Sequence, residues 1–124
     1  DKRHLRDNDV GGSVLDTSIN KYGDYLGLLD DQRHIQLLVK NARLLWEYTF
    51  DNQPVWVSLP DHSEFTAVGG TTLSIFNKAG KRAWKTKLPG SSTFGTLSGD
   101  GSSLFTISDS DSIQHYDICS YLKS

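Results

Sequence analysis

Apolar residues come along this chain in short bursts rather than long stripes. Runs of four to seven residues, rich in β-branched and aromatic side chains, end at Gly, Asp, Asn or Pro. That is the punctuation of strands joined by tight turns. The clearest runs are 55–58, 64–68, 72–77 and 82–88. They are separated by Leu59-Pro60-Asp61, Gly69-Gly70 and Lys78-Ala79-Gly80, and closed by Pro89-Gly90. Only 35–46 has leucines (Leu37, Leu38, Leu44, Leu45) at spacings that a helix also tolerates. Its centre, Lys40-Asn41-Ala42-Arg43, reads as a hairpin tip, so two strands are predicted there.

The bursts repeat. A step of 40 carries Ser18 onto Ser58, Tyr25 onto Phe65 and Leu28 onto Val68. With two residues deleted, Ile35 falls on Leu73, Leu37 on Ile75, Leu38 on Phe76, Arg43 on Lys81 and Trp46 on Trp84. A third copy aligns Phe65 with Leu104, Val68 with Ile107, Leu73 with Ile113 and Phe76 with Tyr116. A period of this length is the mark of a repeat architecture. Each copy holds four short strands in a meander whose two apolar faces find cover only against neighbouring copies, as in radial stacking.

The run Phe76-Asn77-Lys78-Ala79-Gly80-Lys81-Arg82-Ala83-Trp84, followed by Pro89-Gly90, resembles the repeat of quinoprotein-type (PQQ-like) β-propellers. Ser98-Gly99-Asp100-Gly101 with 104–107 resembles the turn and strand of WD40-like blades. The resemblance implies an all-β fold of propeller-type blades: 14–53 as blade 1, 54–93 as blade 2 and 94–124 as an incomplete blade 3. Residues 1–13 are expected to form an arm that supplies a closing strand. Trp46 and Trp84 are then blade-packing anchors. Three units do not make the complete ring that holds a quinone, so no cofactor is expected.

Composition narrows the function classes. The 124 residues carry 13 Lys+Arg against 15 Asp+Glu, a formal net charge of −2. That balance speaks against a nucleic-acid groove, which needs clustered positive charge. Mean hydropathy is −0.44, so membrane insertion is not expected. No Asn is followed by Ser or Thr two positions on, which leans towards a cytoplasmic protein. A single Cys119 cannot form an internal disulfide.

Candidate chemistry is sparse. His4, His34, His62 and His115 are scattered and predict no metal site. Asp30-Asp31 and Asp109-Ser110-Asp111-Ser112 lack the spaced ligands of a calcium loop and read as acidic turns that satisfy their own backbone amides. No Gly-x-Ser-x-Gly elbow raises a serine nucleophile. No catalytic residue is therefore assigned, and the chain is not expected to be an enzyme. Trp56 stands where the other copies offer Asp16 and Gly95, which makes it, with Arg33 and His34 of the long turn in copy 1, a candidate interaction residue. The expected function is a non-catalytic interaction or assembly scaffold, bound to a protein partner or to itself, for instance as a homodimer. The alternatives are a carbohydrate or small-ligand module using Trp56, or a piece of a larger propeller enzyme.

Overall fold

A computed structural model describes residues 13–88 and 90–118. The closing strand expected from 1–13 lies almost wholly outside the described residues, as does Cys119. Among the described residues eleven strands form three antiparallel sheets in chain order. The first contains β1 (Val14–Ile19), β2 (Tyr25–Asp30), β3 (His34–Val39) and β4 (Arg43–Thr49). The second contains β5 (Trp56–Ser58), β6 (Phe65–Gly69), β7 (Thr72–Asn77) and β8 (Arg82–Lys87). The third has three described strands, β9 (Ser92–Leu97), β10 (Ser103–Ser108) and β11 (Ile113–Asp117). Each sheet is a plain meander. Segment 35–46 is the hairpin the sequence predicts: β3, a 3-10 turn at Lys40–Ala42, then β4. Asn41 and Ala42 take left-handed φ of 68° and 58° there.

Strand pairing shows that the repeat is physical. Ser18 faces Gly27 as Ser58 faces Ala67. Leu37 faces Trp46 as Ile75 faces Trp84, and a bulge follows each pair at the same place. The first inter-strand turn also repeats. Gly23, Ser63 and Gly101 have φ of 70°, 54° and 77°, and each donates its N–H to the carbonyl three residues back, at Asn20, Pro60 and Ser98. The left-handed region is easy for glycine and strained for Ser63.

The same pairings correct the alignment of the third copy. Phe94 faces Ile107 where Trp56 faces Gly69, and Leu104 faces Tyr116 where Thr66 faces Phe76. The step into β9 and β10 is thus 38, so Thr66 matches Leu104 and Val68 matches Thr106. The expected partners Phe65–Leu104 and Val68–Ile107 are one residue out, and a one-residue slip moves every side chain to the opposite face. The first strand of the third sheet begins at Ser92.

Core residues lie between the sheets. One cluster joins Leu29, Ile35, Phe50, Trp46 and Tyr48 of the first sheet to Val57, Val68 and Phe76 of the second. Another joins Trp56, Ala67, Leu73, Ile75 and Trp84 of the second to Leu97, Leu104, Tyr116 and Ile118. Among the described residues the second sheet thus turns a forward face to the third and a backward face to the first.

Candidate functional site

The faces between sheets are where this chain's chemistry is concentrated. The innermost strands β1, β5 and β9 lie beside one another in succession. They are stitched by side chains rather than by a shared ladder. Asp16 Oδ2 accepts from the Val57 N–H at 2.9 Å and Ser18 Oγ from the Leu59 N–H at 3.0 Å. One sheet on, Ser58 Oγ accepts from the Leu97 N–H at 3.0 Å. Pro54 and Pro60 flank β5. Successive N–H groups of a strand point to opposite edges, so those of Val57 and Leu59, two residues apart, share one edge, which faces the neighbouring sheet.

Trp56 is 1% exposed and sits inside the second interface. Its ring lies between Gly69 and Gly95; a Cβ on either would stand 2.1 or 2.4 Å from Cζ2. Its Nε1 donates to Ser92 Oγ at 2.8 Å, and that hydroxyl donates to the Gly70 carbonyl at 2.7 Å. The ring offers no face to an external ligand. Its counterpart by pairing is Phe94 rather than Gly95, and Gly95 is the residue that makes room for it.

Trp46 and Trp84 occupy equivalent positions in the two interfaces. Trp46 stacks on Phe76, with centroids 5.3 Å apart, over Gly80, whose absent Cβ leaves that space free. Its Nε1 is buried and finds no acceptor among the described residues.

Arg33 and His34 lie in one fastened turn. Arg33 has φ of 69° and donates its N–H to Gln53 Oε1 at 3.0 Å. Gln53 Nε2 donates to the Asp30 and Pro54 carbonyls, at 2.8 and 2.9 Å. The buried Asp30 carboxylate accepts from the Gln32 and His34 N–H groups and from His34 Nδ1, each at 2.9 Å. Burial pushes the Asp30 carboxyl up, but the His34 and Gln32 hydrogen bonds outweigh it and hold it below the usual carboxylate range. Sequence reading missed Gln53, since a single glutamine in a crossover carries no pattern. In the third sheet Ser108 takes the place of Asp30: its Oγ accepts from the Ser112 N–H at 3.1 Å. No group of His, Cys, Asp and Glu suited to a metal forms among the described residues.

Two faces have no sheet against them among the described residues. The forward face of the third sheet presents Phe94, Phe105 and Ile113, which are 50%, 45% and 71% exposed, with Thr96 beside them. By strand pairing Phe94 holds the place of Trp56, Thr96 that of Ser58 and Ile113 that of Leu73. The backward face of the first sheet presents Ile19, Leu26 and Leu44, with a groove of about 240 Å³ bordered by Ile19, Leu26 and Leu38.

Comparison with solved structures fits this arrangement. The chain superposes on RRP9 WD40 repeats with a TM-score of 0.81 at 9% identity, covering 94% of this chain and 38% of that one. It matches the Cps50 (Swd1) β-propeller domain of Myceliophteria thermophila with a TM-score of 0.77 at 12% identity, covering 90% and 36%. It also matches the hydrazine synthase of Kuenenia stuttgartiensis with a TM-score of 0.78 at 12% identity, covering 96% and 36%. The fold is a WD40-like β-propeller fold. Its three sheets are blades 1, 2 and 3. The chain spans little more than a third of the length of these neighbours, and at such identities the likeness concerns the fold alone. No family model matches the sequence, and comparison with curated proteins gives no match.

Proposed function

We propose that this chain is a non-catalytic protein-interaction scaffold whose open blade faces receive a further blade, from a partner or from a second copy. At the level of fold, WD40-like propellers suit a protein-binding role: rigid sheets hold many short turns at fixed spacing. One observation supports the finer reading. The forward face of blade 3 repeats the positions that seal blade 2 against blade 3, yet Phe94 and Ile113 remain open. Exposed contiguous apolar residues of this kind mark association surfaces. The incoming inner strand needs a small residue opposite Phe94, as Gly95 lies opposite Trp56, and an N–H for Thr96, as Leu97 provides for Ser58.

Light scattering on the purified chain tests this, with Phe94→Asp/Ile113→Asp beside it. The expected result is a species of at least twice the 13.8 kDa chain mass, or a captured blade-bearing partner, with either lost in the variant. A monomer that behaves identically with and without the two substitutions, and recruits nothing through that face, would overturn the proposal. The ligand-module alternative has no support at Trp56, because the indole is enclosed.

A further inference from the structure

Charge is unevenly written along this chain. Between residues 65 and 99 there are five cations (Lys78, Lys81, Arg82, Lys85 and Lys87) and no carboxylate. Between 100 and 118 there are four aspartates and no Lys or Arg. The small net charge of the whole hides this separation. All five cations lie on β8 or on the turn that leads into it, and none forms an ion pair with a carboxylate among the described residues. Lys78 and Arg82 are instead braced over aromatic rings of blade 1. The Lys78 Nζ stands 4.9 Å from the Tyr25 centroid and the Arg82 guanidinium 5.3 Å from that of Tyr48.

Two of these cations recur in blade 1, where Lys40 matches Lys78 and Arg43 matches Lys81; the other three do not. β4 does the same structural work at the rim of blade 1, and three of its positions read differently. Leu44 stands for Arg82, Glu47 for Lys85 and Thr49 for Lys87. Arg43 and Glu47 balance one another on β4. A lysine at an exposed strand edge guards against unwanted pairing, but that guard works on β4 with no net charge. The excess on β8 therefore calls for another explanation.

Geometry supplies one. Among the described residues β8 pairs with β7 alone, leaving its other edge open. Lys85 and Lys87 are exposed and alternate with Trp84 and Thr86, so both project from the same side of the strand. Lys85 and Arg82 line a crevice between blades 1 and 2 with Phe50, Asn52, Thr72 and one acidic residue, Asp51, and Lys87, paired with Thr72, follows Lys85 along the same side of the strand.

We infer that the open edge of β8 binds an acidic, extended peptide segment, which adds to blade 2 as a fifth antiparallel strand. Backbone groups of the peptide pair with the free edge, and carboxylates two residues apart meet Lys85 and Lys87 across the new ladder. A nucleic acid fits less well, because the strand's one indole, Trp84, is turned into the core and no stacking platform accompanies the cations. This extends the scaffold reading without depending on the open blade faces, and it is measurable on a monomer.

The experiment is fluorescence anisotropy on the whole chain with a labelled ten-residue peptide of alternating Glu and Val. The same peptide with Gln for Glu, and one with Pro at alternate positions, serve as controls. Saturable binding is expected, weakened at least tenfold by Lys85→Glu/Lys87→Glu and by raising salt from 50 to 300 mM, as for screened charges. Lys21→Glu, in the turn between β1 and β2 and over the Tyr22 ring, should leave it unchanged. Circular dichroism checks that each variant keeps its fold; should the double variant lose it, Lys87→Gln alone is expected to give a several-fold loss. Equal binding of the Gln peptide removes the charge readout, and equal binding of the Pro peptide removes strand addition. An oligonucleotide that displaces the peptide at equal or lower concentration overturns the assignment in favour of a nucleic acid. No binding of the Glu peptide at low salt overturns it outright.

Discussion

Gly95→Ala is the smallest change that should disturb the seal between blades 2 and 3. A Cβ there would stand 2.4 Å from Trp56 Cζ2 and 2.5 Å from Cε2 and Cη2, whereas carbon contacts settle near ~3.5–4.0 Å. The deficit is about 1 Å. The indole cannot retreat, since Gly69 fits against its other side and Nε1 is tied to Ser92 Oγ. Overpacking of this kind costs ~1–3 kcal/mol, and a ring held on both sides belongs near the top of that range. Gly95 does not take a positive φ, so alanine returns ~0.4–1 kcal/mol by restricting the unfolded chain. The net loss is about 1.5–2.5 kcal/mol, or ~6–10 °C in Tm at roughly 4 °C per kcal/mol for a domain of this size. Urea and thermal unfolding followed by circular dichroism measure it. In a Trp56→Phe background the ring carbons that clash are gone, so the same Gly95→Ala change should cost less than ~0.5 kcal/mol. Equal costs in the two backgrounds would refute the clash as the cause.

Two further outcomes follow from the hydrogen bonds. Ser58→Ala should lower stability by ~1–3 kcal/mol, because the Leu97 N–H then lies buried without an acceptor. Ser18→Ala should cost less, its bond to Leu59 being only partly buried; comparable urea midpoints for the two variants would contradict this. Acid should weaken the fold through Asp30, whose folded carboxyl titrates below its ordinary value. Its contribution is complete above the unfolded pKa of ~3.9 and is lost as pH falls through the lower folded one. Tm measured from pH 6 to pH 2 should fall less steeply for Asp30→Asn than for the natural chain. The exposed Asp100 carboxyl, held down to about 2 chiefly by the Ser102 N–H and the Ser98 and Ser102 hydroxyls, keeps its turn capped over most of that range.

The strands were legible because their signals are local. Turn residues such as Gly69-Gly70 and Asn77-Lys78-Ala79-Gly80 bracket β7 at the ends the sequence predicts. Trp46 and Trp84 are legible as a matched pair because both copies keep the same span between β3 and β4. The register of the third copy was not, and the reason is physical. In 104–107 apolar residues fall on both faces (Leu104 on one, Phe105 and Ile107 on the other), so matching by class cannot tell a step of 39 from one of 38. Only the partners across the ladder decide it. The place of Trp56 was hidden for the same reason. Two glycines 26 positions apart, Gly69 and Gly95, form its slot, and nothing in the sequence announces that they meet. The basic rim was masked by summation, since four aspartates of blade 3 offset it in the total.

The stitching between inner strands has a direction. Ser18 and Ser58 point their hydroxyls forward, and the N–H groups of Leu59 and Leu97 answer from behind. Only a head-to-tail approach brings the hydroxyl-bearing end of one copy to the amide-bearing end of another and so reproduces this stitching. Copies that add in this way all keep the same polarity. Such growth closes into a cycle when the rotation per copy divides a full circle, and otherwise runs on as a fibre.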